Sequence, residues 1–193
     1  MNRLGPMVAL LRAPRRTLPG YLDSPRPIRH VLVQVALPLI LLRSWAILAR
    51  AVVLREVVAG VVLAVGSLIL QLGAWAGLGV LLPRLLHPFA IPLGERQAFT
   101  LATVICAPLW LAGILFAVPE EPVALFVITR LGVLVAASYG FVILARALEH
   151  LSSDPDARSP AFMAVAAAYV VLYGVLFTLV GLSATVILYV RGM

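Results

Sequence analysis

The side chains able to carry acid–base, nucleophilic or metal chemistry are few in this chain, and they are spread out. His30, His87 and His150 are separated by long apolar stretches, and no cysteine or acid stands near any of them at metal-ligand spacing. Cys106 is the single cysteine and sits inside a hydrophobic run; it reads as a small core residue, and no disulfide can form within the chain. Ser67, Thr100, Thr103, Thr129, Ser138 and Thr178 also lie in apolar stretches, where hydroxyls bond back to their own helix carbonyls. The sequence holds no nucleophile–histidine–acid set on one aqueous face, no P-loop and no dinucleotide fingerprint. It therefore predicts no catalytic centre, no cofactor and no metal. Arg43 and Arg130 stand out because each interrupts an apolar run. A charge there must find a partner or reach water.

Composition explains why the polar chemistry is sparse. Of 193 residues, 63% are hydrophobic and 12% charged, with a mean hydropathy of +1.08. A soluble domain is about 45–50% apolar and about 25% charged, so this chain has too few charges to coat a water-facing surface. A lipid solvent removes that requirement. All fifteen basic residues are arginine, a pattern that GC-rich bacterial coding produces and that bidentate phosphate contacts would also favour. The net charge of +7 flanks hydrophobic segments, which points to anionic lipid headgroups and topology signals and away from nucleic acid.

A hydrocarbon core of about 30 Å takes about 20 apolar helical residues to cross. On that criterion the chain is an all-α, polytopic membrane helix bundle with five spans, at about 31–49, 57–82, 98–118, 123–146 and 161–190, behind a basic tail over residues 1–30. Pro83, Pro88 and Pro92 are expected to stop the second helix and keep the next connection extended. Pro119-Glu120-Glu121-Pro122 reads as a tight turn, and Ser152-Ser153-Asp154-Pro155-Asp156 as a polar turn able to cap a helix. In the tail, Met7, Leu10, Leu11, Leu18 and Leu22 interleave with Pro14 and Pro19, which should limit any helix to short pieces lying on anionic headgroups.

With the tail in the cytoplasm, that side collects Arg3, Arg12, Arg15, Arg16, Arg26, Arg29, Arg84, Arg96, Arg146 and Arg158, against Arg50, Arg55 and Arg191 opposite. Ten against three orients the bundle with its N-terminus inside and its C-terminus outside. Arg43 and Arg130 then lie about 9–10 Å below the outer boundary. Both are expected to face the bundle interior and to pair with Glu56, Glu120 or Glu121.

Two motifs bear on packing. Gly73 and Gly77 form a GxxxG that allows close helix contact, within one chain or between two copies in a homo-oligomer. In the third span, Pro108 removes a backbone hydrogen bond, Gly113 permits close approach, and Trp110 can fill the space that a kink opens. The run Pro108-Leu109-Trp110-Leu111-Ala112-Gly113-Ile114 resembles the signature of the Yip domain family, named for members interacting with Ypt/Rab GTPases and rich in bacterial members. Leu11-Arg12-Ala13-Pro14 is similar to the segment that precedes the first span of bacterial members, although Ala107 replaces the usual threonine. The resemblance implies five spans, a cytoplasmic N-terminus and a bacterial-type member.

The resulting expectation is a non-enzymatic protein of the bacterial cytoplasmic membrane that acts by interaction with a protein partner, as an adaptor or membrane-organising factor. The alternative is a small transporter or channel subunit with Gln71, Arg43 and Arg130 lining a path. Reporter fusions after Leu22, Arg55, Gly94, Glu121, Asp156 and Met193 should alternate sides, starting inside; a cytoplasmic signal at Met193 would sink the five-span count.

Overall fold

The structure is a computed structural model and describes residues 13–24, 26–118 and 123–190. Glu120 and Glu121 lie outside the described residues. Described residues form α1 (Pro14–Asp23), α2 (Ile28–Val53), α3 (Val57–Leu86), α4 (Glu95–Ala112), α5 (Val123–Leu151) and α6 (Pro155–Val190), with no strand among them. Helices α2 to α6 are each long and apolar enough to cross a membrane. They start earlier or end later than the apolar runs, because those runs measure the hydrocarbon, and a helix keeps its internal hydrogen bonds after leaving it.

Three prolines behave differently from expectation or shape their surroundings. Helix α3 runs through Pro83 to Leu86 and ends only after a 3-10 turn, His87–Phe89, at Ala90 with φ 53°. Pro83 forfeits one bond near the end of a 30-residue helix, which is too small a loss to stop it. Likewise α1 continues through Pro19 as one ten-residue helix. In α2, a π turn over Leu32–Ala36 precedes Pro38, shifting the hydrogen-bond register just before a residue that cannot donate.

Helix α4 is the axis of the bundle. Its thirteen consecutive residues Ala98–Trp110 are buried, against α2, α3 and α5, and α1 covers its start. Helix α6 packs mainly on α3 and leaves Val171, Phe177 and Leu182 more than 60% exposed. Such a surface is untenable in water and ordinary in lipid.

Backbone proximity holds these helices together. A Cβ on Gly79 would stand 2.5 Å from the Phe99 ring, and one on Gly140 would stand 2.5 Å from the Ile105 carbonyl oxygen. Gly66, Gly73 and Gly77 of α3 face Val180, Leu176 and Leu172 of α6 in antiparallel order. The GxxxG face is thus covered within the chain.

The tail helix docks on the bundle end. Leu18 and Leu22, one turn apart, are 1% and 0% exposed, while Arg15 and Arg16 stay exposed. The Gln97 amide donates to the Leu22 carbonyl at 3.0 Å, and its Oε1 accepts from the Gly94 N–H at 3.1 Å, so one side chain ties α1 to the start of α4. His150 Nε2 lies 2.9 Å from Asp23 Oδ1. Burial pushes the Tyr21 phenol above its ordinary pKa, and Arg26 offsets part of that. At the start of α6, Asp154 Oδ1 accepts from the Asp156 N–H at 2.9 Å, the cap that the polar turn anticipated.

Gly140→Ala should destabilise the bundle by about 1–3 kcal/mol, because its Cβ meets backbone and not a yielding side chain. Gly174→Ala, with nothing within 4 Å of the added carbon, should stay within about 0.5 kcal/mol. Denaturant titration in mixed micelles reads both, and equal effects would contradict the packing account.

Candidate functional site

At the bundle end away from α1, the helices part around a cavity of about 480 Å³. Helix α2 supplies Arg43, Ile47, Arg50 and Ala51, with Leu54 just past its end, a single helical face by spacing. Helix α3 supplies Ala59, Gly60, Leu63, Ser67 and Leu70, with Glu56 at its start. Phe116, Arg130 of α5, and Phe177, Val180 and Gly181 of α6 close the wall.

The end of α4 shapes this site. After Ala112 the helix tightens into a 3-10 turn, Gly113–Ala117, in which residues three apart eclipse each other. Gly113 and Phe116 therefore share one face. A Cβ on Gly113 would lie 2.5 Å from Arg43 Cβ and 3.1 Å from its Cα, so glycine is what lets α2 pass this closely. The Arg43 guanidinium then sits over the Phe116 ring, 4.4 Å from its centroid. Arg130 lies 5.6 Å from that centroid and 4.9 Å from the Phe126 ring. Cation–π contacts contribute about 0.5–2 kcal/mol each, most when desolvated.

Both arginines thus line one cavity, Arg43 partly buried and Arg130 exposed. Among the described residues Arg43 forms no ion pair; it stacks on an aromatic ring. Its Nε is buried without a hydrogen-bond partner, and so is Ser67 Oγ, on a residue 7% exposed. Glu56 lines the same cavity, whereas Glu120 and Glu121 lie outside the described residues.

A polar layer seals the floor. Gln71 is fully buried, and its Oε1 accepts from Trp110 Nε1 at 3.0 Å and from the Tyr173 hydroxyl at 2.8 Å. Nearby, Trp75 Nε1 donates to Thr103 Oγ1 at 2.8 Å, and Thr103 in turn donates to the Phe99 carbonyl. Gln71 therefore does not join Arg43 and Arg130 on the cavity wall, because two donors hold its amide in the core. Trp110 acts as a hydrogen-bond donor as well as a space filler.

The other singled-out residues serve packing. Pro108 is buried beside an apolar groove that Gly132, Val135 and Tyr139 also line, and Gly73 and Gly77 seat α6. In the sequence Arg50 stands out only as a topology charge and Phe116 not at all, and Ser67, expected to bond back to its own helix, leaves its Oγ without a partner. The i, i+7 spacing of Arg43 and Arg50, and the four-residue step from Ser67 to Gln71, were the available signals. Among the described residues no three His, Cys, Asp or Glu side chains converge.

Fold and surface define a multi-pass integral membrane protein with five membrane-spanning helices among the described residues and an arginine-lined cavity at one end. No protein-family model, curated protein or solved structure matches the chain.

Gln71→Leu would leave the Trp110 and Tyr173 donors buried and unmet, and should cost about 1–3 kcal/mol of bundle stability. Ser183→Ala, on the exposed side of α6, serves as the control. A loss no larger than that control in a micelle unfolding titration would count against the polar layer.

Proposed function

We propose that this chain is a non-enzymatic protein of the bacterial cytoplasmic membrane, N-terminus inside, that acts by binding: an interaction or membrane-organising factor. The observation that carries the reading is the chemistry of the cavity wall. It presents three guanidinium groups, one carboxylate and a hydroxyl among apolar side chains. Arginine stays protonated at any physiological pH, so it can hold an anion but cannot take up a proton as a general base. Neither histidine nor cysteine lines the cavity to activate Ser67. Such a wall suits recognition and not turnover.

Two further observations support this reading. The resemblance of the Pro108–Ile114 run to the Yip domain family implies an interaction role, and that run sets the α2–α4 contact on which the cavity depends. Exposed Arg15 and Arg16 give α1 a basic outer face, each contributing about 1 kcal/mol beside anionic headgroups. The alternative of a small transporter draws on the cavity shared by Arg43 and Arg130. It requires a continuing path, and beyond Ser67 the buried Gln71, Trp110, Leu78 and Leu82 intervene.

Crosslinking in native membranes followed by mass spectrometry should capture a protein partner, and alanine variants at His30, His87, His150 or Cys106 should each complement any phenotype of deletion. Complete failure to complement by one well-expressed, correctly inserted variant would overturn the non-enzymatic reading.

A further inference from the structure

We infer that the arginine cavity takes up the phosphate-ester headgroup of an anionic membrane lipid from the leaflet at the α2–α3 turn. The inference rests on reading the cavity as a binding site, and it specifies the ligand.

The floor of the cavity sets the chemistry. Arg43 Nε and Ser67 Oγ are buried donors without partners, on neighbouring helices that line the same space. An unmet donor in a low-dielectric site is costly, and a guanidinium doubly so. The ring of Phe116 offers the Arg43 guanidinium its face and no hydrogen-bond acceptor, so the Nε donor stays unmet beside the cavity that Arg43 lines. A group that answers both donors must offer several oxygens and a negative charge. Phosphate does so and matches the guanidinium fork.

Charge and shape agree with this. Among the described residues Arg43, Arg50 and Arg130 line the cavity with one carboxylate, Glu56, and Arg43 at its floor forms no ion pair there. Arg50 lies two turns above Arg43 on the same face of α2, so the positive wall runs from the floor toward the membrane surface. The volume, about 480 Å³, exceeds what a lone phosphate fills and lies in the range of small-molecule sites.

The rim identifies the source. Leu63 is 49% exposed and Phe177 67% exposed, and these large apolar side chains of α3 and α6 flank the cavity. A cavity flanked by lipid-facing side chains admits an amphiphile from the side, with its headgroup on Arg43 and Ser67 and its acyl chain against α3 and α6. A soluble anion would gain nothing from that flank.

The test uses the full-length protein, purified in detergent and stripped of lipid, then offered phosphatidylglycerol, diacylglycerol of the same acyl chains, or inorganic phosphate. Native mass spectrometry and thermal stability are the readouts. Phosphatidylglycerol should be retained about tenfold over diacylglycerol, which lacks the phosphate, the difference that one charged hydrogen bond supplies. Arg43→Gln should erase that preference, while Arg84→Gln, at the other bundle end, should keep it. Ser67→Ala should reduce it about threefold, the share of a neutral donor, and it carries the test if Arg43→Gln does not run monodisperse. Equal retention of the two lipids would overturn the phosphate assignment and leave a cavity that binds acyl chains. Stabilisation by inorganic phosphate equal to that by phosphatidylglycerol would overturn the lipid source. Retention of neither lipid, with no stabilisation by phosphate, would sink the binding reading itself.

Discussion

Inside a bilayer, helices gain no hydrophobic free energy by leaving lipid for one another, because a lipid tail is as apolar as leucine. What remains is van der Waals contact at short range, and contact at short range needs small residues where backbones cross. This bundle meets that constraint around α4, whose Ala98–Trp110 stretch is buried on every side. Alanine, threonine and cysteine along α4, and Gly79 and Gly140 on its neighbours, let three helices approach it closely. The same logic seats α6 against Gly66, Gly73 and Gly77. Deleting side chains at these crossings is what allows the other faces to be large, branched and lipid-facing.

The cavity is a by-product of how that close packing ends. Helix α4 cannot stay equally close to α2 and α5 along its whole length, and at Gly113 it tightens into a 3-10 turn. The tighter turn puts Gly113 and Phe116 on one face, so the close approach to α2 and the ring under Arg43 arise from the same five residues. Below that level Trp110 and Tyr173 donate to the Gln71 amide oxygen and Trp75 donates to Thr103, while the Gln71 amide nitrogen and Ser67 Oγ stay unmet. Above it, Arg43, Arg50 and Arg130 line the cavity. The hydrogen-bonded layer marks the floor of the site.

The tail adds a second polar anchor at the opposite end. Leu18 and Leu22 are buried in the bundle, and Gln97 spends both ends of its amide on joining α1 to α4. The exposed arginines of α1 are thereby held on a rigid helix instead of a loose strand of chain. An electrostatic face fixed in this way presents its charges together, and screening by salt acts on them as a group.

Composition and apolar run length were enough to establish five membrane helices, because the thickness of hydrocarbon imposes a length that local sequence alone reports. Helix caps such as Asp154, and the place of Arg43 and Arg130 within spans, were legible for the same reason: each depends on neighbours within a turn or two. Whether Pro83 ends a helix was not legible, since the answer depends on how much helix on either side is already held by packing. Nor could the sequence show that Gln71 turns to Trp110 and Tyr173 while Arg43 turns to Phe116. Those partners lie 39, 102 and 73 positions away along the chain. Only the crossing of α2, α3, α4 and α6 brings them within reach, because a hydrogen bond or a ring contact is a matter of a few ångströms.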